Sequence, residues 1–210
     1  MKVLYLNSAK ISSEMANLIQ VRSMCRAMSE NDFDVILSIP GTKPKNINDD
    51  IYKYHFRKEI VSNKFDKYIN IRSIIRAIRD TNPDIIFIRD PLLLLYVFLF
   101  SNKKILFETH NNNLHYGFNV LNRFYHFIIK IAINKGRVLK LICISNALAD
   151  YWNNEGVKME KIVVAHDGIN MKMFTNIESK EDLRRKYDLP LDKIIITYSG
   201  RLYADRKIEN

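Results

Sequence analysis

The feature that most constrains this chain is an alternation. Short, unbroken apolar runs are separated by longer segments whose apolar residues recur every three or four positions. The runs are KVLYL (2–6), DVILSI (34–39), DIIFIR (84–89), KILFET (104–109), LKLICIS (139–145) and KIVVAHDG (161–168). Runs of this kind suit strands buried on both faces, which is what a parallel sheet covered by helices requires. Between them lie segments of helical period. In 14–30, Met15, Leu18, Cys25 and Met28 recur at helical spacing, and 64–80 and 118–135 read as further helices. IYKYHFRK (51–58) alternates like a strand exposed on one face, and 178–190 reads as a short charged helix before a last strand at 193–199. There is no internal repeat. The pattern predicts an α/β fold: a Rossmann-like parallel sheet with helices on both faces.

Composition limits the alternatives. The chain has 210 residues and is 47% hydrophobic, enough for one domain and its core, and its six Gly and five Pro exclude a low-complexity chain. PLLLLYVFLF (91–100) is about half the ~20 residues needed to span a bilayer, so it is predicted to be a buried helix. MKVLYLNSAK reads as a first strand rather than a signal peptide, and Cys25 and Cys143, among apolar neighbours, as buried free thiols. Together these point to a cytoplasmic protein. The formal charge is +10 and the pI is near 9.5. Such a balance points to an anionic partner, either a phosphate-bearing ligand or an acidic lipid surface. No nucleic-acid-binding motif accompanies the charge.

In a parallel sheet, ligands bind at the carboxyl ends of the strands. The loop there that carries most polar side chains is ETHNNNLHYG (108–117). His110 can exchange a proton or hydrogen-bond a hydroxyl near neutral pH, which makes it the candidate catalytic residue. Glu108 either accepts backbone N–H groups or contacts substrate, and Asn111 is a candidate substrate contact. His115 reads as a surface residue at the start of the next helix. No second cluster of ligand residues is evident, so no metal site is expected. Ser145 is placed to cap the helix that starts at Asn146 and is a further candidate substrate contact.

A second feature is a gap in acidic charge. No Asp or Glu occurs from Thr109 to Ala149, while Arg123, Lys130, Lys135, Arg137 and Lys140 fall inside that span. On a helical wheel Arg123, His126, Lys130 and Ile133 share one face, and Val120, Phe124, Phe127, Ile128 and Ile131 form the opposite stripe. The expectation is that Arg123, Lys130 and Ile133 face an acidic membrane surface and the second stripe faces the core. The competing reading is a basic, solvated helix face. A third feature is YSGRLYADRK (198–207), in which Arg201 and Lys207 follow a Gly turn. They suit either a diphosphate clamp or a charged surface turn.

Three segments carry a family resemblance. ICISNALADYWNNEGVKMEKIVVAHDGINMKMF (142–174) resembles the signature run of family 4 glycosyltransferases: a strand ending in Ser, a helix, a strand, and a turn leading out of the first domain. PDIIFIRDP with ILFETHN matches the two preceding strands, and YSGRLYADRK matches the Gly-Arg-Leu turn that opens the second domain. The resemblance implies one half of a GT-B fold, in which the N-terminal domain binds the acceptor and the C-terminal domain a nucleotide-sugar. It implies sugar transfer with retention and with neither metal nor other cofactor. His110 falls where the family places a His beside the donor sugar, and Arg201 and Lys207 where a cationic pair neutralises the departing diphosphate. The family's Gly-rich loop after the first strand is replaced by NSAKISSEMAN, so either a hydroxyl of Ser12 or Ser13 binds substrate in its place or that contact is lost.

The resulting expectation divides the chain into an acceptor-binding domain (1–170), a linker with a short helix (171–192), and the first strand and turn of a donor-binding domain (193–210). The reaction implied is transfer from a nucleotide-diphosphate sugar to a glycan or lipid-linked acceptor, in polysaccharide or glycolipid biosynthesis. The family's second-domain Glu pair is absent from these 210 residues, so this chain alone is expected to be inactive. The alternative is a non-catalytic Rossmann-like protein that binds a partner or a membrane surface.

Overall fold

The computed structural model describes residues 1–8, 16–42, 51–57, 71–110, 119–169, 171, 175 and 178–197. The chain divides into two compact units, Met1–Asp167 and Gly168–Asn210.

The first unit is built on seven strands: β1 (Lys2–Leu6), β2 (Asp34–Pro40), β3 (Lys53–Arg57), β4 (Ile85–Ile88), β5 (Lys104–Thr109), β6 (Val138–Cys143) and β7 (Ile162–Val164). They form one sheet in the order β3-β2-β1-β4-β5-β6-β7. Every pairing is parallel, as the apolar runs predicted. Its helices are α1 (Ala16–Glu30), α2 (Ile71–Thr81), α3 (Pro91–Phe100), α4 (Asn119–Asn134) and α5 (Asn146–Asn154).

Side chains alternate between two cores. Leu4, Leu6, Ile86, Ile88, Ile105 and Phe107 lie on one side of the sheet with residues of α2, α3, α4 and α5. Val3, Tyr5, Val35, Leu37, Ile39 and Phe87 lie on the other with Leu18, Val21 and Cys25 of α1. Two-faced burial explains why the strand runs are continuously apolar. Cys25 and Cys143 are buried free thiols, as expected.

The order of strands reverses direction between β1 and β4. In sheets of this kind the carboxyl edge at such a reversal is the usual ligand position. Asp90 ties two loops together there. Its Oδ1 accepts from Leu92 N at 2.8 Å and Leu93 N at 3.3 Å, capping α3, whose first residue is Pro91. Its Oδ2 accepts from Ser8 Oγ at 2.6 Å, joining the loops after β1 and β4.

Three expectations need correction. The apolar segment 91–100 is a helix, but only one side is covered: Leu93, Leu94 and Val97 are buried, while Leu99 and Phe100 are 58% and 56% exposed. In α4 two of the assigned positions are exchanged, while Arg123 is exposed as expected and the side chains of Val120 and Phe124 lie outside the described residues. Ile133, expected to face a membrane, is fully buried with Ile129 and Ala132, whereas Phe127, expected in the core, is 55% exposed. The buried stripe runs through 129, 132 and 133, at i, i+3 and i+4, and the same side carries His126 and Lys130 onto α5. The His126 ring lies 5.2 Å from that of Trp152, and Lys130 Cδ is 3.3 Å from where a Cβ on Gly156 would sit. Finally, 193–197 form no strand. A strand needs a paired neighbour, and none pairs with this segment among the described residues.

The second unit holds α6 (Lys180–Lys186), capped by Ser179, whose Oγ accepts from Asp182 N at 3.1 Å. This is the short charged helix expected within 178–190. Beyond it Ile194 and Ile196 are 92% and 93% exposed.

Candidate functional site

The carboxyl edge of the sheet gathers a connected set of polar side chains. Glu108 is the penultimate residue of β5 and is 3% exposed. A strand residue at that position cannot turn to solvent, so its carboxylate must find partners inside. It finds two. Its Oε1 is hydrogen-bonded by His110 Nε2 and lies 3.3 Å from Arg89 Nε. Arg89 directly follows β4, and its Nη2 lies 3.3 Å from His110 Nδ1 and donates to Gln20 Oε1 at 3.0 Å. Gln20, on α1, donates in turn to Asp167 Oδ1 in the loop after β7. The set ties together α1, β4, β5 and the β7 loop.

Tyr5 lies beneath it, stacked on Phe87 at 4.8 Å. Burial, and then the nearby Glu108 charge, hold its phenol well above the ordinary value, so it stays neutral. Farther along the edge, Arg57 at the end of β3 is 3% exposed and donates to the carbonyl of Asn7. Burial lowers its pKa to about 10, against the opposing pull of Asp90. His166, after β7, donates from Nδ1 to the Ile144 carbonyl at 2.9 Å, since a carbonyl only accepts.

Glu108, His110 and Asp167 each place one ligand atom within 4.8 Å of the others. This is a metal-like constellation, but Arg89 already supplies positive charge 3.3 Å from Glu108. A divalent ion there would have to overcome repulsion from a fixed guanidinium.

Of the predicted site residues, His110 and Glu108 meet in this cluster. Ser145 caps α5, accepting from Leu148 N at 3.3 Å, as its position implied. Ser12, Ser13, Asn111, Arg201 and Lys207 lie outside the described residues. Sequence reasoning missed Arg89, Asp90, Gln20 and Asp167. The signal for two of them was available: RD ends the strand run that precedes the switch point, where polar residues lie at the carboxyl edge rather than in the core.

The fold is a Rossmann-like α/β domain with polar side chains gathered at the carboxyl edge of its sheet. The sequence model of Glycosyltransferase Family 4 matches residues 19–172, and the chain belongs to that family. No curated protein matches the chain. Among solved structures, the glycosyltransferase from Rickettsia africae ESF-5 is similar with a TM-score of 0.62 and 21% identity over 91% of this chain and 50% of that one. Anabaena Alr3699/HepE, solved with UDP and glucose, gives 0.63 and 11% identity over 90% and 50%. The UDP-N-acetylglucosamine 2-epimerase of Rickettsia bellii gives 0.58 and 16% over 90% and 52%. The chain therefore spans about half the length of these three structures.

Proposed function

We propose that this chain supplies the acceptor-side half of a retaining glycosyltransferase that moves a sugar from a nucleotide-diphosphate donor to a glycan or lipid-linked acceptor, in polysaccharide or glycolipid biosynthesis. The observation that carries the reading is the Arg89–Glu108–His110 cluster at the carboxyl edge of a family 4 domain. Buried and preorganised polar groups at a ligand edge are what stabilisation of developing charge requires. The nucleotide-sugar is supported by the fold likeness to Anabaena Alr3699/HepE, which was solved with UDP and glucose. The proposal includes a metal-free reaction, since Arg89 occupies the electrostatic role a cation would take beside Glu108. It assigns the diphosphate to Arg201 and Lys207, and substrate contacts to Ser12, Ser13 and Asn111. Because the chain spans about half the length of the Rickettsia africae and Anabaena structures, it is expected to need a second domain for turnover.

The test is a mass-spectrometric transfer assay with a panel of nucleotide-sugars and oligosaccharide acceptors. The chain alone and the chain joined to a family 4 donor domain are compared. The joined form should add one sugar mass to an acceptor and lose that activity in His110→Ala, while the chain alone should not turn over. Robust transfer by the chain alone would refute the two-domain requirement. A second reading is nucleotide-sugar epimerisation, drawn from the fold likeness to the UDP-N-acetylglucosamine 2-epimerase of Rickettsia bellii. Conversion of a nucleotide-sugar to its epimer without any acceptor would decide for it.

A further inference from the structure

Arg89 stands at the carboxyl end of β4, beside the switch point, with its side chain 13% exposed. It faces Glu108 through Nε at 3.3 Å, Gln20 through Nη2 at 3.0 Å and His110 Nδ1 at 3.3 Å. A guanidinium has only donors, and an ionised carboxylate has only acceptors. Nδ1 of His110, opposite Arg89, must therefore carry the lone pair. Nε2, opposite Glu108, must carry the proton. Both ring nitrogens are engaged by the protein.

We infer that Arg89 is a positioning residue that, with Glu108, locks His110 in a single tautomer and orientation. A ring held this way does not trade protons with a substrate. It offers a fixed edge for packing and leaves hydrogen bonding to neighbouring groups. The lock is tethered at a distance: Gln20 holds the guanidinium from α1 and passes the contact to Asp167 after β7. Movement of α1 or of the loop after β7 is thereby coupled to the imidazole. The inference rests on the proposed function only in taking His110 as part of the substrate site.

The experiment is long-range proton–nitrogen NMR on the chain labelled with ¹⁵N-histidine, at a pH above the ordinary imidazole range, with His110→Gln used for assignment. The expected wild-type spectrum shows a protonated Nε2 and a bare Nδ1 whose resonance is shifted upfield by its hydrogen bond. In Arg89→Met that Nδ1 resonance should move downfield to the position of an unbonded nitrogen. A proton on Nδ1 in the wild type overturns the inference, and so does an unmoved Nδ1 in Arg89→Met. Should that variant not fold, Gln20→Met is read instead. It removes one of the groups that hold the guanidinium, which still meets Glu108, and should shift Nδ1 part of the way in the same direction; no shift there also overturns the inference. If the spectra come out as expected while no sugar transfer is found, the functional reading fails and the positioning of His110 stands.

Discussion

Arg89 and Arg123 are both arginines of the first unit, and they sit in contrasting surroundings. Arg89 follows a central strand, is 13% exposed, and lies between Glu108, His110 and Gln20. Arg123 lies on α4 and is exposed. Neighbours of Arg123 in the acid-free stretch are also used internally. Arg137 donates to the Val97 carbonyl at 3.3 Å and to that of Phe98, completing the end of α3, with its guanidinium 4.6 Å from the Phe98 ring. Lys140 donates to the Glu160 carbonyl at 2.6 Å. The contrast teaches that a run of cations in sequence does not define a binding face. What matters is whether the cation follows a strand at the ligand edge or closes a helix end.

The largest effect that sharpens this contrast is expected at Glu108. Glu108→Ala leaves Arg89 buried beside a lost partner and should cost about 3–5 kcal/mol in denaturant unfolding. A cost under ~1 kcal/mol would mean that the pair is solvated and the edge cluster is not built as described. Next comes Ile133. As a core residue, Ile133→Ala should lose about 2–5 kcal/mol of stability. Unchanged stability combined with weaker binding to acidic liposomes would restore the membrane-facing reading. A smaller effect is predicted at Gly156, whose φ of +92° and contact with Lys130 both resist a side chain. Gly156→Ala should destabilise by about 1 kcal/mol or somewhat more. Arg123→Gln should change stability by less than ~0.5 kcal/mol, as for an ordinary surface site.

A pH effect follows from the buried thiols. Burial pushes Cys143 up to about 11 and Cys25 higher still. Above the ordinary thiol range the unfolded chain has lost protons that the folded chain keeps. Stability should then fall as pH rises toward about 11, and thermal melts of Cys143→Ala should show a shallower decline. An identical slope would show that Cys143 titrates normally in the fold.

Much of the fold was legible because its signal is redundant. Leu4 and Tyr5 point to opposite cores, so both had to be apolar, and each central strand repeats that demand. Helix α4 misled for a related reason. Its apolar residues, from Val120 to Ile133, surround most of the circumference, so the few cations seemed to mark the outer face. The structure instead turns His126, Ile129 and Ile133 inward, because two partners, the sheet and α5, are packed against it. The 193–199 run shows the opposite limit. Ile194 and Ile196 have strand character, but β pairing is a property of two segments, and one sequence segment cannot supply both.

The site was half legible. A His-rich loop after β5 pointed to His110 and Glu108 from local composition alone. Arg89 and Gln20 reach them from 19 and 88 positions away, counted from Glu108. Only the topology that places β4 beside β5, with α1 meeting that edge, brings them together.

The most direct measurement is an amide NMR titration of the chain with oligosaccharide acceptors and with UDP-glucose. If the carboxyl edge is the substrate site, resonance shifts will concentrate at residues 7–8, 89–90, 108–110 and 165–167. Residues 82–84 and 101–104, at the amino ends of the same strands, will stay unmoved. Shifts confined to the amino ends, or none at the carboxyl edge with any acceptor or donor, would contradict the assignment of this edge to sugar transfer.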